Sequence, residues 1–176
     1  MKQTNKETAK NPVVVIETSM GAIKAELWAD KAPKTVANFL RYTDENYYDG
    51  LIFHRVIDGF MIQGGGFTPD MRQKPTHEPI KNEASAEAPN ARGTLAMART
   101  GEVHSATAQF FINLVDNNFL NHKDETPRGF GYCAFGKVVE GMDVVERIAK
   151  VGTGNAGPHQ NVPIQPVIIK SIRRSE

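Results

Sequence analysis

The stretch Gln109-Phe110-Phe111-Ile112-Asn113-Leu114 reads as a strand with two unequal faces. A period of two sends Phe110, Ile112 and Leu114 to one side and Gln109, Phe111 and Asn113 to the other. The first side is a core face. The second carries a phenylalanine between two amides, which leaves two readings open. Either Phe111 lies beneath a helix or loop, or it is the floor of a binding site, an apolar seat flanked by hydrogen-bonding groups.

Outward from this strand the chain reads as further strands with little helix. Val13 to Thr18 and Ala22 to Leu27 flank a turn at Ser19-Met20-Gly21, and Ile23, Ala25 and Leu27 alternate with Lys24 and Glu26 as in a half-buried hairpin. Pro33 opens a helix in its first turn, where a missing N–H costs nothing, and Val36, Phe39, Leu40 and Thr43 follow at helical spacing before the pattern fades near Asn46. Strand signals return at Leu51 to Ile57, Phe60 to Gln63, Thr94 to Arg99, Tyr132 to Val139 and Val167 to Arg173. Asp116 to Leu120 reads as one tight helical turn, and Met142 to Lys150 as a short helix with Val144, Val145, Ile148 and Ala149 on its apolar side. Residues 64–92, rich in Gly, Pro, Asn and charge, read as a long surface excursion with a few short pairings. Helices and strands do not alternate, which argues against a parallel βαβ sheet and for a mainly β antiparallel barrel or sandwich.

Composition narrows the classes further. The chain has 176 residues, 40% of them hydrophobic and 23% charged, so it suits one folded domain, here residues 13–176 after a polar tail at 1–12. Lys and Arg total 21 against 20 Asp and Glu, which argues against a dedicated nucleic-acid binder. No apolar run is long enough to cross a membrane. The polar N-terminus lacks the hydrophobic stretch of a signal peptide, so a cytoplasmic location is expected. A lone cysteine, Cys133, can form no internal disulfide. The five histidines show no metal-ligand spacing, and Gly64-Gly65-Gly66 is not followed by the Lys-Ser/Thr of a phosphate loop. Those glycines instead suit a tight bend or a close backbone approach. Arg55, inside the run Ile52, Phe53, Val56 and Ile57, is either an edge residue reaching water or a cation held for a purpose. Phe60, Met61 and Gln63 again set apolar surface beside an amide.

Four stretches, FHRVIDGFMIQGGGFT at 53–68, GTLAMART at 93–100, SATAQFFIN at 105–113 and FGYCAFGKVVEGMDVV at 130–145, resemble the cyclophilins, in particular their bacterial branch. These are peptidyl-prolyl cis–trans isomerases, and the likeness runs from about Val13 to the C-terminus. The resemblance implies a closed eight-stranded antiparallel β-barrel capped by two helices. It implies that Arg55 is the catalytic arginine. Phe60, Met61 and Phe111 would form the wall and floor of a proline pocket, with Leu120 at its rim. Gln63 and Gln109 would hold substrate backbone, Ala98 and Arg99 would form the edge along which the peptide lies, and His54 would support the site. Phe119 stands where many members have tryptophan and Tyr132 where many have histidine. A phenylalanine lacks the indole N–H donor, so cyclosporin binding is expected to be weak. Neither cofactor nor metal is implied.

The implied partners are proline-containing peptides and unfolded or nascent proteins, with no nucleic acid, no membrane and a monomeric enzyme. The chemistry needs one fixed donor able to stabilise a twisted amide more than a planar one, and an arginine supplies it without titrating near neutrality. Two rivals stand beside this reading. One is a peptide-binding or chaperone module that uses the same groove without catalysis. The other is a hydrolase built on Ser105 or Cys133.

Overall fold

β1 (Val13–Thr18) and β2 (Gly21–Leu27) form the expected antiparallel hairpin, with Thr18 paired to Gly21 across the turn. Val14, Ile16, Ile23, Ala25 and Leu27 are fully buried on the inner face of that hairpin. The computed structural model describes residues 11–175; the tail expected over 1–12 falls mostly outside them. Its last two residues already belong to the fold. Asn11 donates to Glu26 at 3.0 Å, and the carbonyl of Pro12 accepts from the N–H of Leu27 at 2.8 Å.

α1 (Pro33–Asp44) starts at the proline and lays Val36, Phe39 and Leu40 on the core. Its N-terminus has no cap of its own. Glu83, 48 residues along the chain from Thr35, accepts from the Thr35 N–H and hydroxyl, both at 2.7 Å, and so satisfies the orphan donors of the first turn. α2 (Met142–Ala149) buries Val144, Val145, Ile148 and Ala149, the face its spacing indicates.

Eight strands form one curled antiparallel sheet. The remaining six are β3 (Arg55–Ile57), β4 (Met61–Gly64), β5 (Thr94–Met97), β6 (Phe110–Asn113), β7 (Ala134–Glu140) and β10 (Ile169–Ser175), and the order is β10-β1-β2-β7-β5-β6-β4-β3. The expected closed barrel is therefore seen as a curled sheet whose strand ladder ends at β3 and β10. Between those ends run backbone bonds from Phe53 N–H to Val167 O at 3.1 Å and from Ile169 N–H to Leu51 O at 2.7 Å. This also explains why the strand expected over 51–57 shrinks to Arg55–Ile57. The chain at 51–53 bonds to 167–169, and it pairs with β4 only from Arg55 on.

Two further departures are physical. β8 (Thr153–Ala156) and β9 (His159–Pro163) form a separate hairpin where only turns through Gly152, Gly154 and Gly157 were expected. Its polar, glycine-rich sequence shows no alternation, because most of its side chains do not enter the core. After Gly64, which ends β4, residues 65–92 do run without a named element, yet they are no loose excursion: Phe67, Asn82, Ala88 and Asn90 are buried. Among the described residues no helix is long and apolar enough to cross a membrane.

The main core is centred on Phe39, whose ring lies 5.2–5.4 Å from Tyr48, Phe110 and Phe135. The glycine triplet lets backbone and rings close over it. A Cβ on Gly64 would sit 2.6 Å from the carbonyl oxygen of Ile52, and Gly65 (φ +90°) faces the Tyr48 and Phe110 rings. Gly64→Ala should lower unfolding stability by about 1–3 kcal/mol, since backbone must shift to admit the methyl group. Gly101→Ala, where nothing lies within 4 Å, should stay within about 0.5 kcal/mol of the parent when both variants are unfolded in urea.

Candidate active site

Strand register assembles the site. Arg55 of β3 is paired with Gln63 of β4, Gln63 with Phe111 of β6, and Phe111 with Ala96 of β5. Directly paired residues point to the same side of a sheet, so these four side chains make one row across four strands. Phe110 and Ile112, one position away on β6, point into the main core. Phe111 packs in a second cluster with Met61, Ala88, Ala96, Leu120 and Ala134. Of the surroundings left open for Phe111, the structure shows a pocket lined by its ring.

Over that cluster opens a pocket of about 150 Å³, lined by Arg55, Phe60, Met61, Gln63, Ala98, Arg99, Phe111, Leu120 and Tyr132. Met61 and Phe111 are buried in its base, and the Tyr132 ring meets Phe111 edge-on at 5.9 Å. Ala96 and Ala134 pack in the cluster beneath the pocket. Sequence reading passed over both, because an alanine in a strand carries no signal of its own.

Arg55 stands exposed at the mouth. It donates to Gln63 Oε1 at 3.3 Å, and its guanidinium carbon lies 5.9 Å from the centre of the Phe60 ring. Gln63 in turn donates to Gln109 Oε1 at 3.0 Å, which fixes the amide orientation that accepts from the arginine. Arg55 takes part in none of the ion pairs seen among the described residues. At the opposite edge the Arg99 guanidinium stacks on Tyr132 at 4.5 Å and donates to Gly131 O at 3.0 Å and Thr100 O at 2.9 Å. Arg99 is thus tied into its own loop, whereas most donors of Arg55 face outward.

Three of the expected residues do not line the pocket. Gln109 lies behind Gln63 and borders the adjoining hollow. Phe119 is 65% exposed and rests against Phe60 at 5.7 Å, outside the pocket proper. His54 is buried beside Phe67, with ring centres 4.4 Å apart and no hydrogen-bond partner for Nδ1 among the described residues. Burial, with His159 and Arg55 nearby, pulls its pKa down to about 4.

The hydrolase rival finds no catalytic geometry. Ser105 donates its hydroxyl to Glu102 O at 2.7 Å, and His104 Nδ1 accepts from the Asn82 N–H at 3.0 Å, so the two do not form a nucleophile and base. Cys133 is buried, and that burial pushes its thiol up to about 11.

With this geometry in view, comparison with known proteins is decisive. Residues 13–174 match the family described as cyclophilin type peptidyl-prolyl cis-trans isomerase/CLD. The chain belongs to the cyclophilin family of peptidyl-prolyl cis–trans isomerases. It is 59% identical over 164 residues to peptidyl-prolyl cis-trans isomerase B of Escherichia coli (strain K12), covering 93% of this chain and all of that protein. It is also 59% identical over 160 residues to a peptidyl-prolyl cis-trans isomerase of Streptomyces antibioticus, covering 91% of this chain and 96% of the relative. A crystal structure of a Cryptosporidium parvum cyclophilin type isomerase, determined in the presence of the dipeptide Ala-Pro, superposes with a TM-score of 0.77 at 29% identity, covering 93% of this chain and 99% of that one.

The buried His54 gives the cyclophilin fold a pH signature. The unfolded chain binds this proton near pH 6.5 and the folded chain only near 4, so its contribution is whole above 6.5 and is lost as pH falls toward 4. Urea midpoints should therefore decline across that window, and His54→Phe should remove most of the decline.

Proposed function

We propose that this isomerase turns X–Pro bonds in its Phe111 pocket by differential binding, with Arg55 as the catalytic residue. The carrying observation is the row Arg55, Gln63, Phe111, which sets one outward-facing cation at the mouth of an apolar pocket. An X–Pro bond resists rotation because resonance gives its C–N bond double-bond character, with a barrier of about 18–20 kcal/mol. Twisting breaks that resonance and leaves the proline nitrogen with a lone pair. Arg55 donates to that nitrogen, which the planar amide cannot offer as an acceptor, so the interaction belongs to the transition state. Bringing roughly ten seconds to about a millisecond takes ~10⁴-fold, near 5.5 kcal/mol, without bond cleavage.

The other pocket residues grip what must not rotate. Phe60, Met61, Phe111 and Leu120 hold the pyrrolidine ring, with Phe119 extending the apolar wall from outside. Gln63 and Gln109 hold backbone on the arginine side, and Ala98, Arg99 and Tyr132 form the facing edge. His54, buried and neutral next to Arg55 in the chain, supports the site. The Ala-Pro dipeptide used with the structural relative fits this class of ligand. Such a shallow site reads the proline and little else, which suits unfolded and nascent clients and a monomeric folding enzyme. The backbone bonds between 51–53 and 167–169 support a barrel closed at that seam. Cyclosporin should bind weakly, as Phe119 offers no N–H donor.

The test is two-dimensional NMR exchange between cis and trans Ala-Pro peptide with catalytic protein. Arg55→Ala should lower kcat/KM tenfold or more while the fold survives. Full activity in that variant removes the arginine from the mechanism. Binding of the peptide without acceleration in the parent enzyme would favour a proline-reading module. Neither carboxylate nor imidazole lines the pocket, so the rate should vary less than about twofold between pH 6 and 8. A bell-shaped profile would point to a histidine.

A further inference from the structure

Behind the pocket floor lies a chain of buried side-chain amides. Asn113 of β6 is fully buried and spends both amide hydrogens, on Asn90 Oδ1 at 3.1 Å and Thr94 Oγ1 at 2.8 Å. Its oxygen accepts from Asn117 Nδ2 at 2.8 Å. Asn117, itself buried, gives its other hydrogen to the carbonyl of Phe60 at 2.9 Å. Asn90, fully buried, donates from Nδ2 to the carbonyls of Leu120 at 3.2 Å and Tyr132 at 3.1 Å.

The acceptors at the ends of this chain are the backbone carbonyls of three residues whose side chains line the pocket. Those residues come from three separate connections: Phe60 from the β3–β4 turn, Leu120 from the single 3-10 turn Asn118–Leu120, and Tyr132 from the approach to β7. Connections are the parts of a fold with most freedom to move, and apolar contact alone lets neighbours slide. Directional bonds do not, and their sense here is fixed, because a flipped amide would turn oxygen toward carbonyl oxygen. We propose that Asn113, Asn117 and Asn90 are positioning residues, one amide chain that locks Phe60, Leu120 and Tyr132 into a single arrangement around Phe111 and at a fixed distance from Arg55. This rests on the pocket being the place where the X–Pro bond turns.

A locked pocket serves the twisted amide, whose geometry is exacting, more than it serves loose ground-state binding, so the loss should fall on kcat. Asn117→Ala removes the side-chain tie to Phe60, whose carbonyl also accepts from the Leu114 N–H at 3.0 Å, and Asn113→Leu breaks the chain at its centre. With the NMR exchange assay run across peptide concentrations, both should lower kcat five- to tenfold with KM changed less than twofold. Relaxation dispersion should appear at the Phe60, Leu120 and Tyr132 amides of the variants and be absent there in the parent. Val14→Ala, a cavity in the main core on β1, controls for lost stability and should leave kcat within twofold of the parent. If Asn113→Leu fails to fold, Asn117→Ala decides alone. A folded Asn117→Ala enzyme with parental kcat, or with a loss no larger than that of Val14→Ala, overturns the proposal. Arg55→Ala in the same series separates the two ideas: if it keeps full activity the pocket reading fails, and if it alone loses activity only the amide chain fails.

Discussion

β6 is buried on both faces, and the site depends on that single constraint. Phe110 and Ile112 fill the main core while Phe111 and Asn113 face the second cluster and its amides. Side chains of a strand alternate with a period of two, so a slip of one residue would drive an asparagine into the main core and two core residues into the pocket. The register is therefore held from both sides. It fixes where Phe111 sits relative to Gln63 and Arg55, since all three lie in one row of paired residues. The pocket floor is the reverse side of the core, and it is as rigid as the core is. No loop movement is needed to bring the arginine and the floor together.

Buried polarity is handled in two contrasting ways. The asparagine chain spends its donors on the carbonyls of Phe60, Leu120 and Tyr132. Two of those carbonyls also accept from backbone, Phe60 O from the Leu114 N–H and Leu120 O from the Tyr132 N–H. The arrangement therefore satisfies the buried amides themselves, each of which costs about 1–3 kcal/mol when orphaned. His54 is the opposite case: it is buried next to Arg55 in sequence with Nδ1 unpartnered, and desolvation holds it neutral. A protonated imidazole at that position would add a buried charge next to Arg55, the cation of the proposed mechanism. Neutral His54 leaves Arg55 as the positive group on that side of the pocket.

The sequence made some of this legible because the responsible signals are local. The two faces of β6, the apolar side of α2, the proline start of α1 and the first hairpin all follow from periodicity. The clustering of Arg55, Gln63 and Phe111 did not follow from residue patterns, since it needs the pairing of β3, β4 and β6. The family resemblance supplied it. Glu83 capping α1 from 48 residues away, and Asn90 bonding across the pocket wall, leave no local mark in a stretch that reads as loop. The β8–β9 hairpin was missed for the converse reason. It forms a ladder with itself and is not told by a buried face.

Absence of ionisable groups from the pocket, apart from two arginines and a tyrosine, makes physical sense for this reaction. No bond is cleaved and no proton is transferred, so a tuned acid or base has nothing to do. What the reaction needs is a difference between two shapes of one amide, planar and twisted. An apolar floor binds the proline ring equally in both and so contributes affinity but no acceleration. Only a donor aimed at the nitrogen distinguishes them, and its value depends on holding its distance as the bond turns. Arg55 is therefore worth what its surroundings make of it. Gln63, oriented by Gln109, constrains the guanidinium on one side, and the pocket wall sets the position of the ring on the other. On the mechanism proposed for Arg55, the stiffness of that frame sets the rate of rotation as much as the charge within it.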